Sequence, residues 1–328
     1  MSWARGADAS KASELVMVSE DSALIGKLAD HDLKAQDVVL FAPQGNRPPP
    51  TVPRWQQFHY LGDFKDPDAD IIIGEDFYVQ QQSYAVSEFV PIGGPTILRA
   101  DNDVDRAAFI RDADTAHSSG KFPLALCHPK SLLGDMPTLG FVPDTAVVSN
   151  AFIASSGEVF TSPAGLPLGN LEEPNPNWSE RWAARMTEVR QRPEVSGRPW
   201  ISRYLSAADA LRHAQVRGFQ GMRVSGFGGH LVEELDGLGD KRQTSRLLLL
   251  FNGGVAHLHD TASSRTYSLG SDAAKLADIM LTVGSDVSET AARILGCSES
   301  LAAASIRQIE ESFSDKGIRD GFVEPVGL

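Results

Sequence analysis

Cysteine is almost missing from this chain of 328 residues, which has only Cys127 and Cys297. Two thiols so far apart exclude a Cys-rich zinc centre and a disulfide framework, and they fit a reducing compartment. Long apolar runs are missing too. None approaches the roughly 20 residues that span a bilayer, and the start Met1-Ser2-Trp3-Ala4-Arg5 has no apolar core of a signal peptide. A soluble, cytoplasmic protein is expected. Basic residues are scarce beside acidic ones, 30 against 43, for a formal net charge of −13. A field of that sign repels phosphate backbones, so nucleic acid is not an expected partner, and the lack of a spanning run means that a membrane is not expected either. No internal repeat and no low-complexity tract interrupts the chain.

What is present suffices for buried cores: 42% of the residues are hydrophobic, and the length allows two domains. Residues 1–160 read as an α/β domain. Leu15-Val16-Met17-Val18, Val38-Val39-Leu40-Phe41, Ile71-Ile72-Ile73 and Thr96-Ile97-Leu98-Arg99 have the length and apolarity of buried strands. A helix is expected over 103–116, with Val104, Ala107, Ala108 and Phe109 on its apolar face. Pro48, Pro49 and Pro50 mark a loop, because proline fixes φ and cannot donate to a ladder. Residues 161–240 read as a linker and helical bridge: Pro163, Pro167, Pro174 and Pro176 suggest an exposed connection over 161–177, followed by helices over 178–190 and 202–217.

Residues 241–320 carry the clearest pattern. The apolar run 246–251, the turn Asn252-Gly253-Gly254 and the strand 255–259 make a hairpin, and Arg265-Thr266-Tyr267-Ser268-Leu269 adds a third strand with one free edge. Three short helices follow, started by Ser271, by Asp286 or Ser288, and by Ser298, and closed by Gly284, Gly296 and Gly317.

Three strands and then three helices within about 75 residues resemble the RiPP precursor recognition element, the PqqD-like winged helix-turn-helix module of peptide natural-product biosynthesis. The resemblance spans residues 244–318 and rests on the hairpin 247–259, the helix start Leu269-Gly270-Ser271-Asp272-Ala273-Ala274, and the paired short helices. Upstream, Phe77-Tyr78-Val79-Gln80, Tyr84-Ala85-Val86-Ser87-Glu88-Phe89 and Arg223-Val224-Ser225-Gly226-Phe227-Gly228-Gly229 resemble the larger recognition proteins of actinobacterial daptide clusters. The resemblance implies an α/β region followed by an α+β winged helix-turn-helix domain. It also implies a non-catalytic adaptor that captures the leader of a precursor peptide and presents the core to modifying enzymes. It places the leader as an added strand beside Arg265, Thr266, Tyr267, Ser268 and Leu269, against a groove walled by Leu301, Ser305, Ile306, Ile309 and Phe313. Phe77, Tyr78, Tyr84 and Phe89 would be anchors for a partner enzyme.

Other constellations point less far. Gly226-Phe227-Gly228-Gly229-His230 lacks the endings of a phosphate loop and reads as a structural turn. His257 and His259 share a strand face without an evident third ligand, and read as a solvated face rather than a metal pair. Cys127-His128 sets thiol and imidazole on opposite faces, and Glu75, Asp76 and Glu88 show no spacing that makes them an acid–base pair. No catalytic group, metal or cofactor is therefore assigned. Two rivals stay open: a peptide-modifying enzyme with a fused recognition domain, and a winged-helix DNA-binding regulator, which the acidic Glu299, Glu310 and Glu311 around Arg307 disfavour.

Overall fold

A computed structural model describes residues 14–30, 37–45, 52–141, 148–173, 177–236, 246–283 and 287–315. The loop expected at Pro48–Pro50, the prolines at 174 and 176, the helix start at Asp286 and the helix-closing Gly284 and Gly317 lie outside these residues. The chain divides into two compact units, Met1–Arg111 with Leu124–Arg198, and Asp112–Pro123 with Pro199–Leu328.

Unit 1 is built on a ten-stranded mixed sheet. Its strands are β1 (Glu14–Ser19), β2 (Asp37–Pro43), β3 (Gln56–Leu61), β4 (Asp70–Ile73), β5 (Phe77–Ser83), β6 (Thr96–Arg99), β7 (Ser131–Leu133), β8 (Asn150–Ile153), β9 (Glu158–Phe160) and β10 (Pro167–Asn170). They lie in the order β10-β9-β8-β1-β2-β3-β4-β5-β6-β7, with β4 and β9 antiparallel to their neighbours and the other contacts parallel. One face gathers Val18, Phe41, Tyr60, Ile71, Val79, Ile97 and Phe152 into a single cluster. Parallel strands buried on both faces read as continuous apolar runs, which is why 15–18 and 38–41 carry no alternation. Short helices α1 (Ile25–Asp30) and α3 (Leu124–Cys127) and the longer α4 (Trp178–Gln191), followed by α5 (Pro193–Ser196), complete the unit. The boundary between the units falls within α2 (Asp103–Ser119).

Two local expectations change here. The described part of the expected connection, 161–173, is not simply exposed: it contributes β10, and Leu166, Leu168 and Leu171 are buried. The buried face of α2 is Asp105, Ala108, Phe109, Ala113 and Ala116, whereas Val104 is 71% exposed. Asp105 replaces it because the carboxylate accepts from Ser83 Oγ (2.6 Å), the Ala85 N–H (2.9 Å) and Asn102 Nδ2 (2.7 Å), so burying it leaves no charge unsatisfied.

Unit 2 holds a four-stranded antiparallel sheet, β11 (Arg223–Val224), β12 (Leu247–Asn252), β13 (Val255–Asp260) and β14 (Arg265–Leu269), in that spatial order. Its helices are α6 (Ile201–Val216), α7 (Ser271–Val283), α8 (Val287–Leu295) and α9 (Glu299–Ser314). The expected fold class, ending in a small three-strand, three-helix winged helix-turn-helix domain, is overturned. The molecule is an α/β fold with a ten-stranded mixed sheet and a four-stranded sheet. The physical reason lies in β12. Leu247 to Leu250 are all buried, so both faces of that strand need cover. On one face Leu247, Leu249, Phe251, Ala256 and Leu258 join the cluster of α7, α8 and α9. Toward the other side, α6 packs on β11 and β12, His213 of α6 stacks on His259 at 6.2 Å and Phe219 lies 4.4 Å from His257. A winged domain that leaves one sheet face to solvent has no use for four consecutive buried leucines.

Candidate functional site

The hairpin turn fixes which backbone groups of β14 are free. Gly253 and Gly254 take φ of 53° and 92°, as a type I′ turn requires, so Asn252 and Val255 form the hydrogen-bonded pair that closes it. Pairs alternate from there: 250 with 257 and 248 with 259 exchange bonds, while Leu249 turns its carbonyl to the other neighbour and accepts from the Ser225 N–H at 2.9 Å. On β13, Ala256, Leu258 and Asp260 therefore direct their backbone groups to β14, opposite Leu269, Tyr267 and Arg265. Thr266 and Ser268 direct theirs outward, and among the described residues no strand lies beyond them.

The side chains divide the same way. Tyr267 and Leu269 lie half-buried against the core cluster, next to Leu258 and Ala256. Thr266 and Ser268 share the opposite face with the histidines, Thr266 Oγ1 lying 3.0 Å from His259 Nδ1 and Ser268 Oγ 3.2 Å from His257 Nδ1. The histidine face is not solvated as expected. His257 and His259 are 3% and 2% exposed, and burial pushes the His259 imidazole down to about 4. Each ring meets its own hydroxyl, and among the described residues no group of metal-ligating side chains gathers.

The groove wall expected on α9 is only partly available. Ile306 and Phe313 belong to the core cluster, because positions 302, 306 and 313 form the stripe that packs inward. Ile309 is half-buried at its margin, Ser305 is half-buried, and Leu301 is 57% exposed one turn from the Ser298 cap. Of the expected anchors in unit 1, Phe77, Tyr78 and Phe89 are exposed, Phe89 by 79%, but Tyr84 is buried with its ring 5.7 Å from Phe109. Glu75, Asp76 and Glu88 are solvent-exposed, and Cys127 is a buried residue at the end of α3 rather than on a strand.

Two buried polar clusters have no counterpart in the sequence reading. In unit 2, Ser225, His230 and Asp278 converge: Ser225 Oγ donates to Asp278 Oδ1 in a short bond and lies 3.0 Å from His230 Nδ1, while Asp278 Oδ2 accepts from the Val232 N–H at 2.9 Å. Serine and carboxylate meet the same ring nitrogen, whereas a catalytic triad needs them on opposite nitrogens. The cluster is structural and ties the glycine turn to α7. Gly228 sits there at φ 64°, where a Cβ would fall 2.1 Å from the Ser119 carbonyl carbon, so close backbone approach explains that glycine without a phosphate.

In unit 1, Asp135 follows β7 in the left-handed region at φ 48° and is 6% exposed. Its Oδ2 accepts from Ser162 Oγ at 2.6 Å, but Oδ1 has no hydrogen-bond partner, since the nearby Thr138 N–H is directed to the Asp135 carbonyl oxygen at 3.1 Å. Burial raises the carboxyl to about 6; the Ser162 bond opposes the rise, neighbouring Asp101 adds to it, and Arg99 and the nearby Thr138 backbone N–H oppose it. Asp135 is one aspartate among many in the sequence, and only its backbone conformation and neighbours distinguish it. No family model, no curated protein and no solved structure matches this chain.

Proposed function

We propose that this protein recognises a peptide, the leader of a ribosomal precursor, by taking it up as a fifth strand on β14 and presenting it to modifying enzymes. The observation that carries the reading is the contrast among the four sheet edges. β7 has three residues, all buried. β10 starts at Pro167 and shifts register before Gly169, and β11 has two residues. Such devices blunt an edge against pairing. β14 has five residues, no proline, no glycine and no register shift, and it is half-exposed along its length. An open edge of this kind supplies main-chain affinity, and side chains flanking it supply selectivity. Tyr267, Leu269, Ile309 and Leu301 are the apolar groups at hand for that second role, with Arg265 as the charged end of the strand.

The experiment is a titration of the full chain with fluorescently labelled leader peptides, synthesised from short open reading frames beside its gene. Saturable binding that Ser268→Pro removes without unfolding the protein supports the reading. Affinity unchanged in Thr266→Pro and Ser268→Pro, with both folded, removes β14 as the site. Modification of the precursor by this chain alone would instead favour an enzyme.

A further inference from the structure

The pocket beside Asp135 has the chemistry of a binding site that is separate from the β14 edge. It is a cavity of about 50 Å³ whose lining combines apolar Val16, Val18, Ile97 and Phe152 with polar Gln81, Arg99, Asp135, Asn150, Thr161 and Ser162. That space holds a few water-sized groups. Two of its buried polar atoms lack a hydrogen-bond partner, Asp135 Oδ1 and Arg99 Nη2, and the second of these is ion-paired with Asp101. Arg99 is 4% exposed and is held by the Phe64 carbonyl (2.7 Å), Gln81 Oε1 (2.6 Å) and Asp101 Oδ2 (2.5 Å). Gln81 Nε2 in turn donates to the carbonyls of Asp63 (2.9 Å) and Asp66 (2.8 Å), and Thr161 Oγ1 accepts from the Leu166 N–H (2.8 Å). Asp135 Oδ1 is the acceptor that lacks a donor, and unlike Arg99 Nη2 it has no ion-pair partner among the described residues.

A buried acceptor without a partner costs about 1–3 kcal/mol, and a non-glycine residue held at positive φ adds to the cost. A ligand that donates to Oδ1 removes the first of these. The local charges are two carboxyls, Asp101 and Asp135, against one guanidinium, Arg99, whose known partners point it toward Phe64, Gln81 and Asp101. That balance disfavours an anion and favours a cation. Apart from Asn150, the remaining lining is mostly apolar, so it suits a short hydrocarbon body behind the charged head.

We propose that this pocket binds a small primary ammonium group on a short aliphatic body, with the ammonium donating to Asp135 Oδ1 and the body lying against Val16, Val18, Ile97 and Phe152. The charged groups that set its pH dependence are Asp135 itself, Arg99 at the end of β6 and Asp101 just after it; Arg192, before α5, is engaged with the Thr138 carbonyl at 3.3 Å. Because the carboxyl titrates at about 6, the fraction able to hold a cation is nearly complete at about pH 8 and about a tenth at about pH 5.

The test is a nitrogen–proton NMR titration of the full chain with isobutylammonium chloride to about 50 mM, with isobutanol and sodium isobutyrate as controls. Saturable shifts are expected at residues 97–99, 134–135 and 161–162, with affinity about tenfold weaker at about pH 5 than at about pH 8. Asp135→Asn is expected to lose the response at both pH values. The wild-type pH comparison decides the matter even if that variant does not fold. Absence of saturable shifts at these residues, binding indifferent to pH, or isobutyrate or isobutanol binding as tightly as the amine would each overturn the proposal.

Discussion

The two sheets of this protein reach burial by different routes. In unit 1, the strands at the centre are parallel to their neighbours, pairing is extended over ten strands, and both ends are blunted by short or proline-bearing segments. In unit 2, four antiparallel strands are joined mostly by tight turns, two faces are covered, and among the described residues no strand pairs with the outer edge of β14. The difference teaches that covering a sheet's faces and closing its edges are separate problems: an apolar run settles the first, and only strand length, proline and register settle the second.

The sharpest way to break that comparison is in β12. If both its faces are covered, Leu248→Ala and Leu249→Ala each cost about 2–5 kcal/mol in denaturant unfolding, although they point to opposite faces. A cost confined to Leu249 would restore a solvent-facing sheet. The next effect is in β14. Tyr267→Pro removes a donor directed to β13 and is expected to destabilise by about 3 kcal/mol or more, whereas Ser268→Pro deletes an outward donor and the hydroxyl beside His257 and is expected to cost distinctly less. Equal loss from both variants would mean the outward groups are already engaged.

The units also differ in how pH acts on them. His259 has a folded value of about 4, below the ordinary 6.5, so its unfolded form takes up the proton first. Its contribution is complete above about 6.5 and falls away as pH drops toward 4, by on the order of 3 kcal/mol. The groups facing it are Asp209, His213, Asp260 and Arg217. Asp135 behaves oppositely. Its folded value of about 6 exceeds the ordinary 3.8, so it costs stability above about 6 and that cost, again on the order of 3 kcal/mol, disappears as pH falls toward 4. Urea unfolding across this range should give a shallower acid loss in His259→Asn than in wild type, and a near-neutral gain in Asp135→Asn; the reverse slopes would refute both assignments. The smallest effect expected is at the surface of unit 1, where Phe89→Ser changes stability by less than about 0.5 kcal/mol, as thermal melting would register.

Much of the strand content was legible because it is local: the Asn252-Gly253-Gly254 turn fixes a hairpin by its φ angles alone, and 71–73 and 96–99 are apolar runs of strand length. The outward direction of Thr266 and Ser268 was not legible, since it depends on counting pairs from that turn across a second strand. Which α9 residues are buried was not legible because Ile306 and Ile309 have the same side chain, and their burial depends on which stripe of the helix packs inward.

The sequence by itself determined the turns, the strand-length runs, the acidic surface and the lack of a membrane-crossing helix among the described residues, because each follows from neighbours a few positions apart. Tertiary structure alone decided that β11 joins β12 from far upstream, that α6 covers the histidine face, and that Asp135 comes to lie beside Arg99 with one oxygen unpaired. These depend on contacts between residues distant in sequence, and a side chain's partner, burial and charge state are properties of the space it is folded into.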